Sequence, residues 1–296
     1  MKTLRAVLAL AFLPAAAALR AADPQLFAAG PVTAAGERLT PAQLEQLLAP
    51  IALYPDALIA LILPATTAPA DLVLAARQVR AAPHDRSQIE ARAWDESVKS
   101  LTSYPDVLYW LDENLAWTKQ VGENFIDQPA EVMQAIQRLR ARARAEGKLN
   151  DSPQALVITE AQVIRIVPAQ PDVIFVPRYD HEALFYGRAS SWAFPVFSYG
   201  AGVRVGSWLA ADCDWNRHQI WVGNRHRRWQ GHDWRRPVVP IGPAHGPQPA
   251  ATVGIRPWTP PPRPSRPSTA TYTQRVGPEP SHYRAGDSGP GRTLTV

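Results

Sequence analysis

From Cys213 to Trp234 the chain reads CDWNRHQIWVGNRHRRWQGHDW, the stretch richest in side chains that could do chemistry. Cys213, His218, His226 and His232 carry donor atoms that a metal could use. Their gaps of four, seven and five residues make no complete zinc pattern, which pairs close ligands at short spacing. Arg217, Arg225, Arg227 and Arg228 would also repel a cation. No metal site and no cofactor are predicted. The same arginines interleave with Trp208, Trp215, Trp221, Trp229 and Trp234, and indole faces beside guanidinium groups suit sugar rings and anionic ligands. Trp208, Trp215, Trp221, Arg225, Arg227, Arg228, Trp229 and Trp234 are therefore the candidate ligand-binding residues. The plain structural reading of the stretch is a small β-hairpin module with tryptophans packed together and arginines solvated.

Two carboxylates recur in a repeated Tyr-Pro-Asp. PIALYPDALIAL (50–61) and SLTSYPDVLYWL (100–111) align Tyr54 with Tyr104, Pro55 with Pro105 and Asp56 with Asp106. Proline disfavours helix for the residue before it and suits the first helical position, while an early aspartate meets the positive end of the helix dipole. The motif reads as a duplicated helix start, and neither copy has a histidine or polar cluster beside it. Asp180-His181 follows a strand-like run and reads as a turn. The arginines of RLRARARA (138–145) read as a solvated helix end. No nucleophile elbow, glycine-rich phosphate loop or His-Glu-x-x-His is present, so no catalytic residue is predicted and the chain points away from an enzyme.

Several elements must position these groups. LTPAQLEQLLAP (39–50) starts a helix with Thr40 as N-cap and Pro41 at the first position. APADLVLAARQVR (68–80) repeats that grammar, and Asp95 caps WDESVKSL (94–101). Val107, Leu108, Leu111 and Leu115 predict one helix running toward Val121. In PAEVMQAIQRLRARARAEG (129–147), Val132, Ala135, Ile136, Leu139 and Ala143 form a buried stripe, closed by Gly147. After Pro153 the period changes to the β-branched runs ALVITE, QVIRIVP and DVIFVPRY. The short link Ala169-Gln170-Pro171 predicts a hairpin between the last two. The expected fold class is α+β: an N-terminal helical domain, a small antiparallel β unit, a Trp/Arg-rich module and a disordered Pro-rich tail. The expected boundaries are 1–22 signal peptide, 23–39 flexible lead, 40–150 helical domain, 151–190 β-hairpin unit, 191–236 Trp/Arg/His-rich module and 237–296 tail.

Lys2 and Arg5 precede the apolar run AVLALAFLPAAAAL, the pattern of a cleaved secretory signal. It is too short to span a bilayer comfortably, and no later run is longer without a break. Cys213 is the sole cysteine, so no internal disulfide is possible and burial of the thiol is expected. The formal charge of +5 hides a division: residues 23–180 hold 14 basic and 20 acidic groups, whereas 181–296 hold 14 arginines and 6 acidic groups. An acidic body is followed by a basic extension.

LLAPIALYPDALIALIL, the stretch from WDESVKSLTSYPDVLYWL to ARAEGKL, and VIRIVPAQPDVIFVPRYD together resemble the domain of unknown function 3300 family. The likeness runs from about Leu39 to Gly187. It implies an exported protein of a Gram-negative bacterium, in the periplasm or cell envelope, and transfers no catalytic residue. The expected function is non-catalytic interaction or scaffolding, with the basic C-terminal part touching anionic envelope polymers or an acidic protein. The alternative is an envelope hydrolase or metal-dependent enzyme. Export, and the absence of a recognisable binding motif, argue against nucleic acid.

Overall fold

The first described helix opens on a capping box. In the computed structural model, which describes residues 38–83, 85–188, 197–206, 209–223 and 256–260, Thr40 accepts from the Gln43 amide and the Gln43 side chain accepts from the Thr40 amide. The expected signal segment (1–22), His84, and most of the expected tail lie outside the described residues. All described residues belong to the first of two units, 1–260; the second, 261–296, lies outside them.

Eight helices follow in order: α1 (Pro41–Leu48), α2 (Asp56–Thr66), α3 (Pro69–Ala81), α4 (Arg86–Glu90), α5 (Glu96–Leu101), α6 (Pro105–Glu113), α7 (Leu115–Asp127) and α8 (Pro129–Ala145). Proline stands at the first helical turn of α1, α3, α6 and α8, where its missing N–H costs nothing. Every residue of α2 is buried, so this helix runs through the centre, packed against α3, α5, α7, β2 and β5. Among the described residues no single helix is long and apolar enough to cross a membrane; α2 and α3 qualify only together, and they bend by 113°.

One expected helix is two. The run through Val107 and Leu115 breaks at Asn114, whose side-chain amide donates to the Trp110 carbonyl at 2.9 Å. Asparagine offers the backbone this local alternative to the helical ladder. Thr118 Oγ1 then donates to the Leu111 carbonyl across the break at 2.7 Å.

The strands are β1 (Ala155–Glu160), β2 (Val163–Pro168), β3 (Val173–Tyr179), β4 (Phe197–Arg204), β5 (Ala211–Asp214), β6 (Gln219–Val222) and β7 (Arg256–Pro257), with the short helix α9 (His181–Tyr186) between β3 and β4. All pair antiparallel, in the orders β1-β2, β3-β4 and β5-β6-β7. The expected α+β class holds: a helical part, then small antiparallel sheets. The predicted hairpin is one strand out of place. β2 pairs with β1 across a tight turn at Ala161 (φ 53°), and β3 pairs with β4 instead. Pro168 and Pro171 bracket the link that was expected to turn, and neither can donate to a ladder. Pro177 is accommodated in β3 at a shift in register.

Asp180 and His181 also depart from the expected turn. Asp180 caps α9, its Oδ1 accepting from the Glu182 and Ala183 amides at 3.1 Å each. Residues 256–260, inside the stretch whose composition predicts disorder, are described on the body, where Trp258 stacks on Phe125.

Candidate functional site

The polar centre of the protein is the first aspartate of the repeat. Asp56 opens α2 and is buried on all sides. Its Oδ1 accepts from Arg140 Nη1 at 2.7 Å and from the Ile166 amide at 3.2 Å. Its Oδ2 accepts from Trp215 Nε1 at 3.0 Å, and Arg165 Nε lies 3.6 Å away. The Asp56 backbone carbonyl accepts from Cys213 Sγ at 3.4 Å. One residue thus ties α2 to α8, to β2 and to β5 with the turn that follows it.

Arg140 completes the centre. Its side chain has 0% exposure, and it donates to the carbonyls of Ala52 (2.9 Å), Tyr54 (2.9 Å) and Ile164 (2.8 Å) as well as to Asp56. Its guanidinium carbon sits 4.6 Å from the centre of the Trp215 ring, a cation–π contact in a dry interior. Burying a charge costs several kcal/mol unless it is paired and its donors are satisfied, and here the carboxylate and three carbonyls do both. Arg140 follows Ile136 by one helical turn and so lies on the apolar stripe of α8; the expectation of a solvated arginine row is wrong for this member. Arg138 and Arg142, on either side of it, pair with Glu45 of α1 at 2.6 and 2.5 Å.

A second buried contact lies beside the first. Tyr179 Oη donates to the Ala49 carbonyl at 2.8 Å and accepts from the Leu53 amide at 3.1 Å. It satisfies the turn that leads into the first Tyr-Pro-Asp. Burial raises the Tyr179 and Tyr54 phenols well above their ordinary range. The second copy of the motif is different: Tyr104 is buried like Tyr54, but Asp106 is exposed and meets Arg178 at the surface at 2.7 Å.

Of the candidate binding residues, Trp215 and Trp221 are described, and both indole N–H groups are already engaged. Trp215 is buried against Asp56 and Arg140, and Trp221 Nε1 donates to the buried Asp214 at 3.2 Å. Trp208, Arg225, Arg227, Arg228, Trp229 and Trp234 lie outside the described residues, as do His226 and His232. Cys213 is buried as expected, and its thiol is pushed well up, first by burial and then by the Asp56 and Asp212 carboxylates. His218 faces Gln134 of α8 at 3.4 Å. Among the described residues no three His, Cys, Asp or Glu side chains form a group that could hold a metal ion. Burial lowers the pKa of His181, which favours the neutral imidazole.

The sequence reading missed Asp56, Arg140 and Arg165 as a unit. Two signals were available: an arginine on the apolar face of α8, and an arginine in the otherwise apolar strand VIRIVP. The cluster is closed to solvent, and Asp56 and Arg140 are engaged with each other and with interior backbone groups, so its chemistry is that of a fastening.

A central apolar helix, fastened through one carboxylate to a helix and two small sheets, defines an α+β protein organised about an interior ion pair. The chain belongs to the family described as protein of unknown function (DUF3300), whose pattern matches residues 40–239. It is 30% identical over 250 residues to the uncharacterized protein YacH of Escherichia coli (strain K12), covering 65% of this chain and 40% of that protein. The chain therefore spans well under half the length of the curated relative it matches. No solved structure matches it.

Proposed function

We propose that this chain is a non-catalytic interaction protein of the cell envelope, in which the arginine- and tryptophan-rich stretch following β6 engages anionic envelope polymers. The observation that carries the reading is the division of charge: 14 arginines against 6 acidic groups in 181–296, after a body with 14 basic and 20 acidic groups in 23–180. Opposite charge on a polymer is drawn to the first part and held off by the second. The stretch begins directly after β6, whose neighbour β5 is fastened to α2 through Cys213 and Trp215. A rigid base of this kind lowers the ordering cost of binding. The leader-like run at residues 6–19 supports export.

The test is sedimentation of the full chain with isolated cell-wall sacculi at low and high salt, beside an Arg225→Gln, Arg227→Gln, Arg228→Gln variant. Truncation near Ser190 is unsuitable, because it removes Trp215 and Cys213 from the core. Screening shortens from about 10 Å at 0.1 M to about 3 Å at 1 M salt. Binding at low salt, lost at 1 M salt and reduced at least about tenfold by the triple substitution, is the expected result. Equal binding by both forms, or none by either, overturns the polymer assignment. Soluble wall fragments released into the supernatant overturn the non-catalytic one.

A further inference from the structure

The chain leaves β6 at Val222 and returns at Arg256, laying residues 256–258 along the same strand. Trp221 stands opposite Pro257, Val222 opposite Arg256, and the Trp258 amide donates to the Ile220 carbonyl at 2.7 Å. Arg256 and Pro257 are exposed; the half-buried Trp258 provides the anchor, its ring 5.2 Å from Phe125 of α7 and inclined to it by 23°. The segment's hold is thus main-chain pairing plus one aromatic seated against a buried ring. That is the mode by which extended peptides add to a sheet edge: the ladder supplies affinity and a pocket supplies selectivity. Proline has no N–H to donate and belongs on an edge strand, so an Arg-Pro-Trp segment can pair on one side only. Its partners in the same sheet do not share this character, since β5 and β6 carry buried residues and Arg256–Pro257 carries none.

We infer that the outer edge of β6 with the Phe125 face is a peptide-binding groove for an extended Arg-Pro-Trp segment, filled by Arg256–Trp258 as a tethered ligand that another chain bearing the same pattern displaces. The groove selects the aromatic through Phe125 and reads the backbone through Ile220 and Val222. The 33 residues from 223 to 255 join the ligand to its groove. With an effective concentration on the order of 1 mM for the joined segment, a free segment with Kd of about 100 μM would be held back about tenfold.

The experiment is an anisotropy titration with a dye-labelled peptide GIRPWTPP, copied from residues 254–261, against the full chain and a full-chain Trp258→Ala variant. The peptide is expected to bind the variant and to bind the unaltered chain at least about tenfold more weakly. GIRPATPP is expected to bind neither. Absence of binding to the folded variant, or equal binding of the two peptides, overturns the inference. A Trp258→Ala chain that loses its helical circular dichroism also overturns it, because the segment is then part of the core and not a ligand. A second reading leaves Trp258 in place: the chain is cut once at a protease site inserted between residues 240 and 250. Release of the downstream fragment by excess GIRPWTPP is expected, and retention of the fragment contradicts the groove.

Discussion

Replacing Asp56 with alanine is expected to cost the fold about 3–5 kcal/mol, a large part of the ~5–15 kcal/mol that holds a domain together. The substitution leaves Arg140, at 0% exposure, without its counter-charge, and takes the acceptor from Trp215 Nε1 and the Ile166 amide. A charge already stripped of water cannot recover it without opening the core, so the loss should appear as exposure of α2, α8 and β5 together. The matched control is Asp106→Ala. Asp106 occupies the same place in the second Tyr-Pro-Asp, but its side chain is 72% exposed and its partner Arg178 51% exposed. Such pairs contribute ~0–1 kcal/mol. Urea denaturation followed by circular dichroism separates the two outcomes. A loss below about 1 kcal/mol for Asp56→Ala would mean that the buried pair does not fasten the elements it joins.

Gly122→Ala is expected to destabilise the protein by about 2 kcal/mol or more, against the ordinary trend for such a change. Alanine in place of glycine inside a helix normally gains about 1 kcal/mol. Here a Cβ on Gly122 of α7 would stand 2.2 Å from the Thr66 carbonyl oxygen and 2.6 Å from its carbon, at the end of α2. Both are backbone atoms, so no rotamer relieves the clash and the helices must part. The effect should grow from alanine to valine. Gly147→Ala is the control: nothing lies within 4 Å of the added carbon, and only its φ of +68° resists the change. That strain is on the order of 1 kcal/mol. Denaturation midpoints order the variants, and a Gly122→Ala protein as stable as the parent would show that α2 and α7 are not in tight contact.

The parts of this fold that depend on neighbours in the chain were legible. Thr40 and Pro41 announce α1, the stripe of α8 is plain from Val132 to Ala143, and Cys213 is buried as a lone thiol should be. What escaped was settled by partners far along the chain. Arg140 is 84 residues from Asp56, and Trp215 is 159 residues from it. Neither copy of Tyr-Pro-Asp says which aspartate will be covered, because both start a helix equally well. Only Asp56 falls where α8, β2 and β5 converge. The hairpin was misplaced for a local reason: β-branched residues mark all three strands alike, and the tight turn sits on Ala161, a residue that gives no turn signal. Asn114 was the one helix breaker whose side chain could have been read in advance.

The central claim is that Asp56 fastens the start of α2 to α8, to β2 and to the β5–β6 sheet. Hydrogen–deuterium exchange of an Asp56→Asn chain tests it most directly, because asparagine keeps the shape and removes the charge. The amides of Ile166, of the start of α2 and of β5 are predicted to lose protection together, by about 100-fold or more, while α3 and the β3–β4 pair hold theirs. Protection unchanged in β5 with asparagine at position 56 would contradict the claim.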